Sequence, residues 1–188
     1  MESKVTVSAP GSIMITGEHA VVYGHPAIVA AIDQRVTVRV RPTDAAVLHI
    51  TSQIAPPAQV PMDQLVADGP YRFVIATVLA HRARVQSGLR IDITSDIDPT
   101  LGLGSSAAVT IAMLAALSGE ATPQVHQDAL SIIRAQQGRG SGADLAASLM
   151  GGALSYRIEG KGPARMAPLP PPPHMSLFNV GYKTPTAE

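Results

Sequence analysis

Gly102, Leu103, Gly104, Ser105, Ser106 and Ala107 place two glycines and two serines directly ahead of a run that is almost wholly apolar. A helix starting there presents unpaired N–H groups and partial positive charge, and residues without bulk let a phosphate come close to that end. The hydroxyls have two uses open to them, capping the helix or ligating the magnesium that accompanies a nucleotide. A tight strand-to-helix turn is the plain alternative. Two other phosphate motifs fail here. The Walker pattern needs a lysine just before the Ser or Thr, and Gly104 stands in its place. Gly102 to Ala107 does satisfy G-x-G-x-x-A, with Glu120 near the distance of a ribose acid. A dinucleotide fold, however, needs a strand between the helix and that acid, and the chain around Glu120 passes from helix to loop to helix.

Two further groups carry titratable side chains. Glu18 and His19 follow an alternating segment and Gly17, and the stretch closes on Tyr23, Gly24, His25 and Pro26. Charged residues at a strand end between glycines suit a site on a loop, and equally a surface turn. Residues 138–144, GRGSGAD, set Gly138, Gly140 and Gly142 ahead of Asp144. That carboxylate is either the acid that helix starts favour or a general base or electrostatic anchor beside the phosphate site.

The elements that must position these groups are legible as patterns. Val5 and Val7, Ile13 and Ile15, and Val36, Val38 and Val40 alternate with polar residues as half-buried strands. Arg35, Thr37, Arg39 and Arg41 fill the other face of the last one, read as solvated because no aromatic is interleaved. A helix is expected from near Pro70 to Gly88, then a strand in which Leu89, Ile91 and Ile93 alternate. Val109 to Leu117 is apolar all round, which implies a central buried helix. Thr122 and Pro123 suit an N-cap and first turn, and Val125, Ala129, Ile132 and Ile133 fall on one face of the helix behind them. A short helix is expected to end at Gly151 and Gly152, followed by strands over residues 153–158 and 176–182, with extended chain at Pro170 to Pro173 between them. Strands, then helices, then strands, with no βαβαβ alternation, is an α+β order.

Composition narrows the function classes. The 188 residues, 46% hydrophobic, support one ordinary core or a domain plus part of another. Fourteen basic residues balance fourteen acidic ones, and with two Phe, four Tyr and no Trp there is little to recruit or stack nucleic acid. Without cysteine there are no disulfides, thiolate nucleophiles or Cys-based zinc sites, which fits a cytoplasmic location. No segment reaches the roughly 18 uninterrupted apolar residues of a membrane span. A soluble, untargeted chain is expected.

Residues 9–24, APGSIMITGEHAVVYG, then 102–108, GLGSSAA, then 138–152, GRGSGADLAASLMGG, resemble the superfamily of galactokinases, homoserine kinases, mevalonate kinases and phosphomevalonate kinases, the GHMP kinases. The wording GEHAVVYG is most similar to the mevalonate kinases, and GRGSGAD is also similar to the phosphomevalonate kinases. The resemblance covers about residues 4–158. It implies an N-terminal ATP-binding domain over 1–165, like the second domain of ribosomal protein S5. Residues 166–188 would be a connection and the start of a ferredoxin-like C-terminal domain that is missing or only begun. It implies ATP and magnesium, with Gly102 to Ala107 around the phosphates and Ser106 on the metal. Glu18 and His19 would lie near the substrate, with Glu18 also a metal ligand. Asp144 would take or orient the proton of the attacking hydroxyl, and Thr186 would stand near the substrate. The expected reaction is ATP-dependent phosphorylation of a small-molecule alcohol, mevalonate in isoprenoid precursor synthesis, with phosphomevalonate as the nearest rival. The alternative from another class is a non-catalytic nucleotide-binding fragment. Neither nucleic acid nor membrane is an expected partner, and a homodimer is left open.

The chain departs from that pattern at four places. Ser12 stands where mevalonate kinases have a lysine beside the catalytic Asp, and Ile133 where they have a magnesium-ligating glutamate. The phosphate loop lacks the usual glycine near Thr100 and sets its proline one residue late. No third glycine-rich motif follows, and Glu188 falls about where such enzymes begin their second domain.

Overall fold

Two long strands organise the chain. In the computed structural model, which describes residues 4–85, 87–160, 162–171 and 175–178, β1 runs Val5–Thr16 and β2 runs Ala27–Thr43. They pair antiparallel along most of their length, with register shifts between Pro10 and Ser12 and between Met14 and Thr16. Val36, Val38 and Val40 turn inward, while Arg35 and Arg39 are exposed, as alternation requires of a sheet with one wet face. Arg41 is ion-paired there to Asp92 at 2.6 Å.

The other edge of β2 is shared. Its C-terminal half pairs with β5 (Gly88–Ser95) and its N-terminal end with β6 (Ala153–Arg157), both antiparallel. Beyond β5 lie β3 (Val47–Ser52), parallel to it, and β4 (Ala58–Pro61). Beyond β6 lies β7 (Arg165–Leu169). The order is therefore β4-β3-β5-β2-β6-β7, with β1 on the far side of β2. This is an α+β fold with one parallel pair in an otherwise antiparallel sheet.

Among the described residues, four α-helices cover the inner face. α2 (Ser105–Ser118) packs against β1, β2 and the other three helices. Ala107, Ala108, Ile111, Ala112, Met113 and Leu114 are all buried, so this helix has no solvent stripe. α3 (Pro123–Gln137) buries Val125, Ala129, Ile132 and Ile133 as the spacing predicts, although Thr122 makes no side-chain cap bond. α4 (Ala143–Met150) seals a second apolar cluster against Val29, Leu154 and Tyr156.

Other expectations need correction. The helix from Pro70 to Gly88 is shorter: a 3-10 turn at Gly69–Tyr71 leads into α1 (Arg72–Ala80), and another at Arg82–Arg84 follows. His81 leaves helical geometry, with φ −109° and ψ 21°, and the tight turn after it drops Val85 into the core. Over 176–182, Ser176 to Phe178 are not strand, and 179–182 lie outside the described residues. The extended chain expected at Pro170 to Pro173 is not contradicted, since Pro170 and Pro171 are neither helix nor strand, and Pro172 and Pro173 lie outside the described residues.

Candidate active site

The bulge in β1 brings Gly11 and Ser12 beneath the loop that leads into α2. A Cβ on Gly11 would lie 2.5 Å from the Leu103 carbonyl oxygen, and one on Gly104 would overlap the Ser12 hydroxyl, so strand and loop close on each other only through glycine. The Ser12 N–H donates to Leu103 O at 3.1 Å and ties the two together. Upstream, Asp98 Oδ1 accepts the Thr100 N–H at 2.8 Å and its hydroxyl at 2.6 Å, and both bonds hold the Asp98 carboxyl below its ordinary pKa. Gly104 is the N-cap of α2 in the left-handed region, φ +70°.

Capping by serine is not what happens. α2 has no side-chain cap bond, and the Ser105 and Ser106 hydroxyls make no hydrogen bond among the described residues. The first backbone bond into the helix is Ala108 N–H to Gly104 O at 2.9 Å, leaving the N–H groups of Ser105, Ser106 and Ala107 ahead of it unpaired by the helix. Three donors, two hydroxyls and a helix dipole thus gather at one helix end.

That end opens into a cleft of about 820 Å³. Gly102 to Ser106 form one wall, Glu18 and Asp144 another, and Tyr71, Arg72 and Phe73 at the start of α1 a third. Ala107 is buried behind the loop and His19 is exposed but is not among the lining residues, so of the pair only Glu18 reaches the cleft. Thr186 lies outside the described residues. A second cavity of about 360 Å³, against Val5, Leu89, Ala116 and Leu117, is lined by no acid and lies at the other end of α2. Chemistry therefore selects the larger one.

Asp144 sits in the first turn of α4. Its carboxylate is open to the cleft, but the protein mass around that cleft displaces water. This desolvation, opposed by a hydrogen bond from Ser12 and reinforced by the negative charge of Glu18, holds its pKa above the ordinary value. The Ser12 hydroxyl donates to Asp144 Oδ1 at 2.8 Å. Ser12 was legible in the sequence only as a missing lysine.

Two buried residues that the sequence did not flag hold the loop before Asp144. His126 on α3 pairs through Nε2 with Gly142 O at 2.9 Å, and the Tyr156 hydroxyl on β6 donates to Ser141 O at 2.6 Å. Burial pushes the His126 pKa down, so the ring is neutral and Nε2–H donates. Burial likewise pushes the Tyr156 phenol up to about 12, so it keeps its proton. Gly142, at φ +90°, has no room for a Cβ between these two rings. Ile133 packs beneath Gly140 in the core, so that position supplies no metal-binding acid.

Comparison with known proteins is consistent with this geometry. Residues 71–152, which hold α1, the phosphate-type loop and Asp144, match the description "GHMP kinases N terminal domain". Residues 1–42 match "Galactokinase galactose-binding signature". A mevalonate kinase from Thermococcus sibiricus is 36% identical over 173 residues, covering 82% of this chain and 52% of that protein. One from Archaeoglobus fulgidus is 37% identical over 154 residues, covering 79% and 51%. The crystal structure of the Methanococcus jannaschii mevalonate kinase superposes with a TM-score of 0.75 at 24% identity, over 85% of this chain and 57% of that one. The chain thus spans about half the length of the curated relatives it matches.

Proposed function

The chain belongs to the GHMP kinases, and from that premise we propose that its cleft transfers the γ-phosphoryl group of ATP to the hydroxyl of mevalonate. One observation carries the reading: Asp144, about forty positions along the chain from the loop at Gly102–Ser106, faces the same cleft as that loop's unpaired donors. A phosphate seated at the start of α2 lies within one cavity with a carboxylate of raised proton affinity. Phosphoryl transfer needs that arrangement, because it is mainly positioning and charge neutralisation.

In the proposed step the acceptor hydroxyl gives its proton to Asp144 as its oxygen bonds the γ-phosphorus. The bond from that phosphorus to the β–γ bridging oxygen breaks, and ADP leaves. No covalent enzyme intermediate forms. The upward pKa of Asp144 suits a proton acceptor better than an ordinary surface carboxylate would. The N–H groups of Ser105, Ser106 and Ala107 face the phosphate oxygens, where negative charge is fixed by donors that need no rearrangement.

The donor set also suits magnesium. The Ser106 hydroxyl and the Glu18 carboxylate both line the cleft, and neither has a hydrogen-bond or ion-pair partner among the described residues. No group of three His, Cys, Asp or Glu gathers there among those residues, so oxygens of the nucleotide and water would complete the shell. When bound, the metal supplies positive charge to the phosphates.

The match of residues 1–42 to a galactose-binding signature favours one second reading, a sugar acceptor at the Glu18 side of the cleft. ADP release with ATP and magnesium, compared across mevalonate, phosphomevalonate, galactose and no acceptor, decides between them. Turnover dependent on mevalonate is the expected result. Turnover only with galactose would replace the acceptor, and ATP binding without turnover in any arm would leave a nucleotide-binding module.

A further inference from the structure

We propose that Ser12 is a positioning residue for Asp144: its buried hydroxyl fixes Oδ1 of the carboxylate and so presents Oδ2 to the acceptor. This rests on the kinase reading above and adds to it a residue that the family resemblance marks only as a departure, serine in place of lysine.

Ser12 is 1% exposed, and it is confined from several sides. Its N–H is bonded to Leu103 O, its side chain fills the space that a Cβ on Gly104 would need, and its hydroxyl reaches Asp144 Oδ1 at 2.8 Å. The other buried serine and threonine hydroxyls with a partner behave differently. Thr77 and Thr110 bond back to Phe73 O and Ser106 O within their own helices, which fixes nothing outside the helix. Ser12 alone among the buried hydroxyls of the described residues donates to a carboxylate.

The consequence follows from counting donors. A serine hydroxyl has one proton, and here it goes to Oδ1. Oδ2 has no donor among the described residues, and Asp144 is one of the residues that line the cleft. A lysine would hold the carboxylate with a full charge on a flexible stem, lowering its proton affinity. A hydroxyl on a buried strand orients it with little side-chain freedom to lose and leaves it the more basic. Because Ser12 sits on the bulge that also holds Leu103, one residue sets the distance between the phosphate loop and the carboxylate.

The test combines kinetics with stability. Ser12→Ala keeps the backbone bond to Leu103, so the KM for ATP is expected to stay within about twofold while kcat falls about tenfold, as for a misplaced rather than missing group. Ser12→Thr, which restores the hydroxyl, is expected to recover most of that loss. In an Asp144→Ala background, Ser12→Ala is expected to cost no further activity. Denaturation midpoints of the two single variants and the double variant should be non-additive, since the bond is lost once. Additive midpoints would mean that the bond is not made in solution, and unchanged kcat in Ser12→Ala would make Ser12 merely structural; either overturns the proposal. Absence of acceptor-dependent turnover in the unaltered chain would end the kinase reading, and Ser12's role with it. Non-additive midpoints would then survive as a bond without a catalytic purpose.

Discussion

Asp144 carries a cost that its location explains. A carboxylate whose pKa is raised by folding is harder to ionise in the native chain than in the unfolded one. Its contribution to stability is therefore present below the ordinary carboxylate range and is lost as the pH climbs through the raised folded pKa. Asparagine keeps an oxygen for the Ser12 hydroxyl but cannot ionise. Asp144→Asn is accordingly expected to melt at a higher Tm than the unaltered chain at pH 7, the difference shrinking as the pH is lowered through the carboxylate range. A lower Tm at pH 7 would mark the carboxylate as a structural group. Gly104 is the counterpart on the loop proposed to hold the phosphates. Alanine there meets a positive φ, costing about 1–2 kcal/mol, and a Cβ that collides with the Ser12 hydroxyl. Gly104→Ala should weaken ATP binding and transfer together, measured by calorimetry and ADP release; unaltered ATP affinity would show that the loop does not hold the phosphates. Both residues were legible in the sequence through glycine spacing and residue type. The Ser12 bond was not, because it spans 132 positions and depends on a bulge that no local pattern announces.

The α4 start is held by elements that are remote in sequence. His126 from α3 and Tyr156 from β6 grip consecutive carbonyls, Gly142 O and Ser141 O, immediately before Asp144. The His126 pKa is depressed by burial, so its contribution to stability is present above the unfolded value of 6.5 and is lost as the pH falls through the lower folded value. Denaturant midpoints should drop on acidification below about pH 6.5, and His126→Gln should flatten that limb by removing the titrating ring. An equally steep limb in His126→Gln would assign the acid sensitivity to another group. The helices α2, α3 and α4 were readable because their terminal glycines and apolar residues coincide with what tertiary packing demands, although none has the side-chain cap its start suggested. β3 went unread although Leu48 and Ile50 alternate into the core, because its six residues stand alone among turn-forming neighbours. β7 was hidden by Pro168, which a central strand could not accept and an edge strand can. The α1 boundary was overestimated because apolar spacing continues past His81 while the backbone turns away.

At the scale of the molecule, β2 joins both apolar clusters. It pairs with β1 throughout, with β5 at one end and with β6 at the other, so neither half can lose its strand without exposing the other. Urea unfolding is therefore expected as one transition, coincident in near- and far-UV circular dichroism. Two separated transitions would mean that the α4–β6 cluster melts independently. No helix among the described residues is long and apolar enough to cross a membrane. The fold sets the start of α2 and the Asp144 carboxylate across one cleft, the arrangement on which the proposed transfer depends. The most direct measurement is to compare Asp144→Asn with the unaltered chain, in mevalonate-dependent ADP release and in ATP affinity by calorimetry. Loss of transfer by about 10²- to 10⁴-fold with ATP affinity nearly unchanged is the predicted result. Equal loss of both, or transfer that survives the substitution, would contradict it.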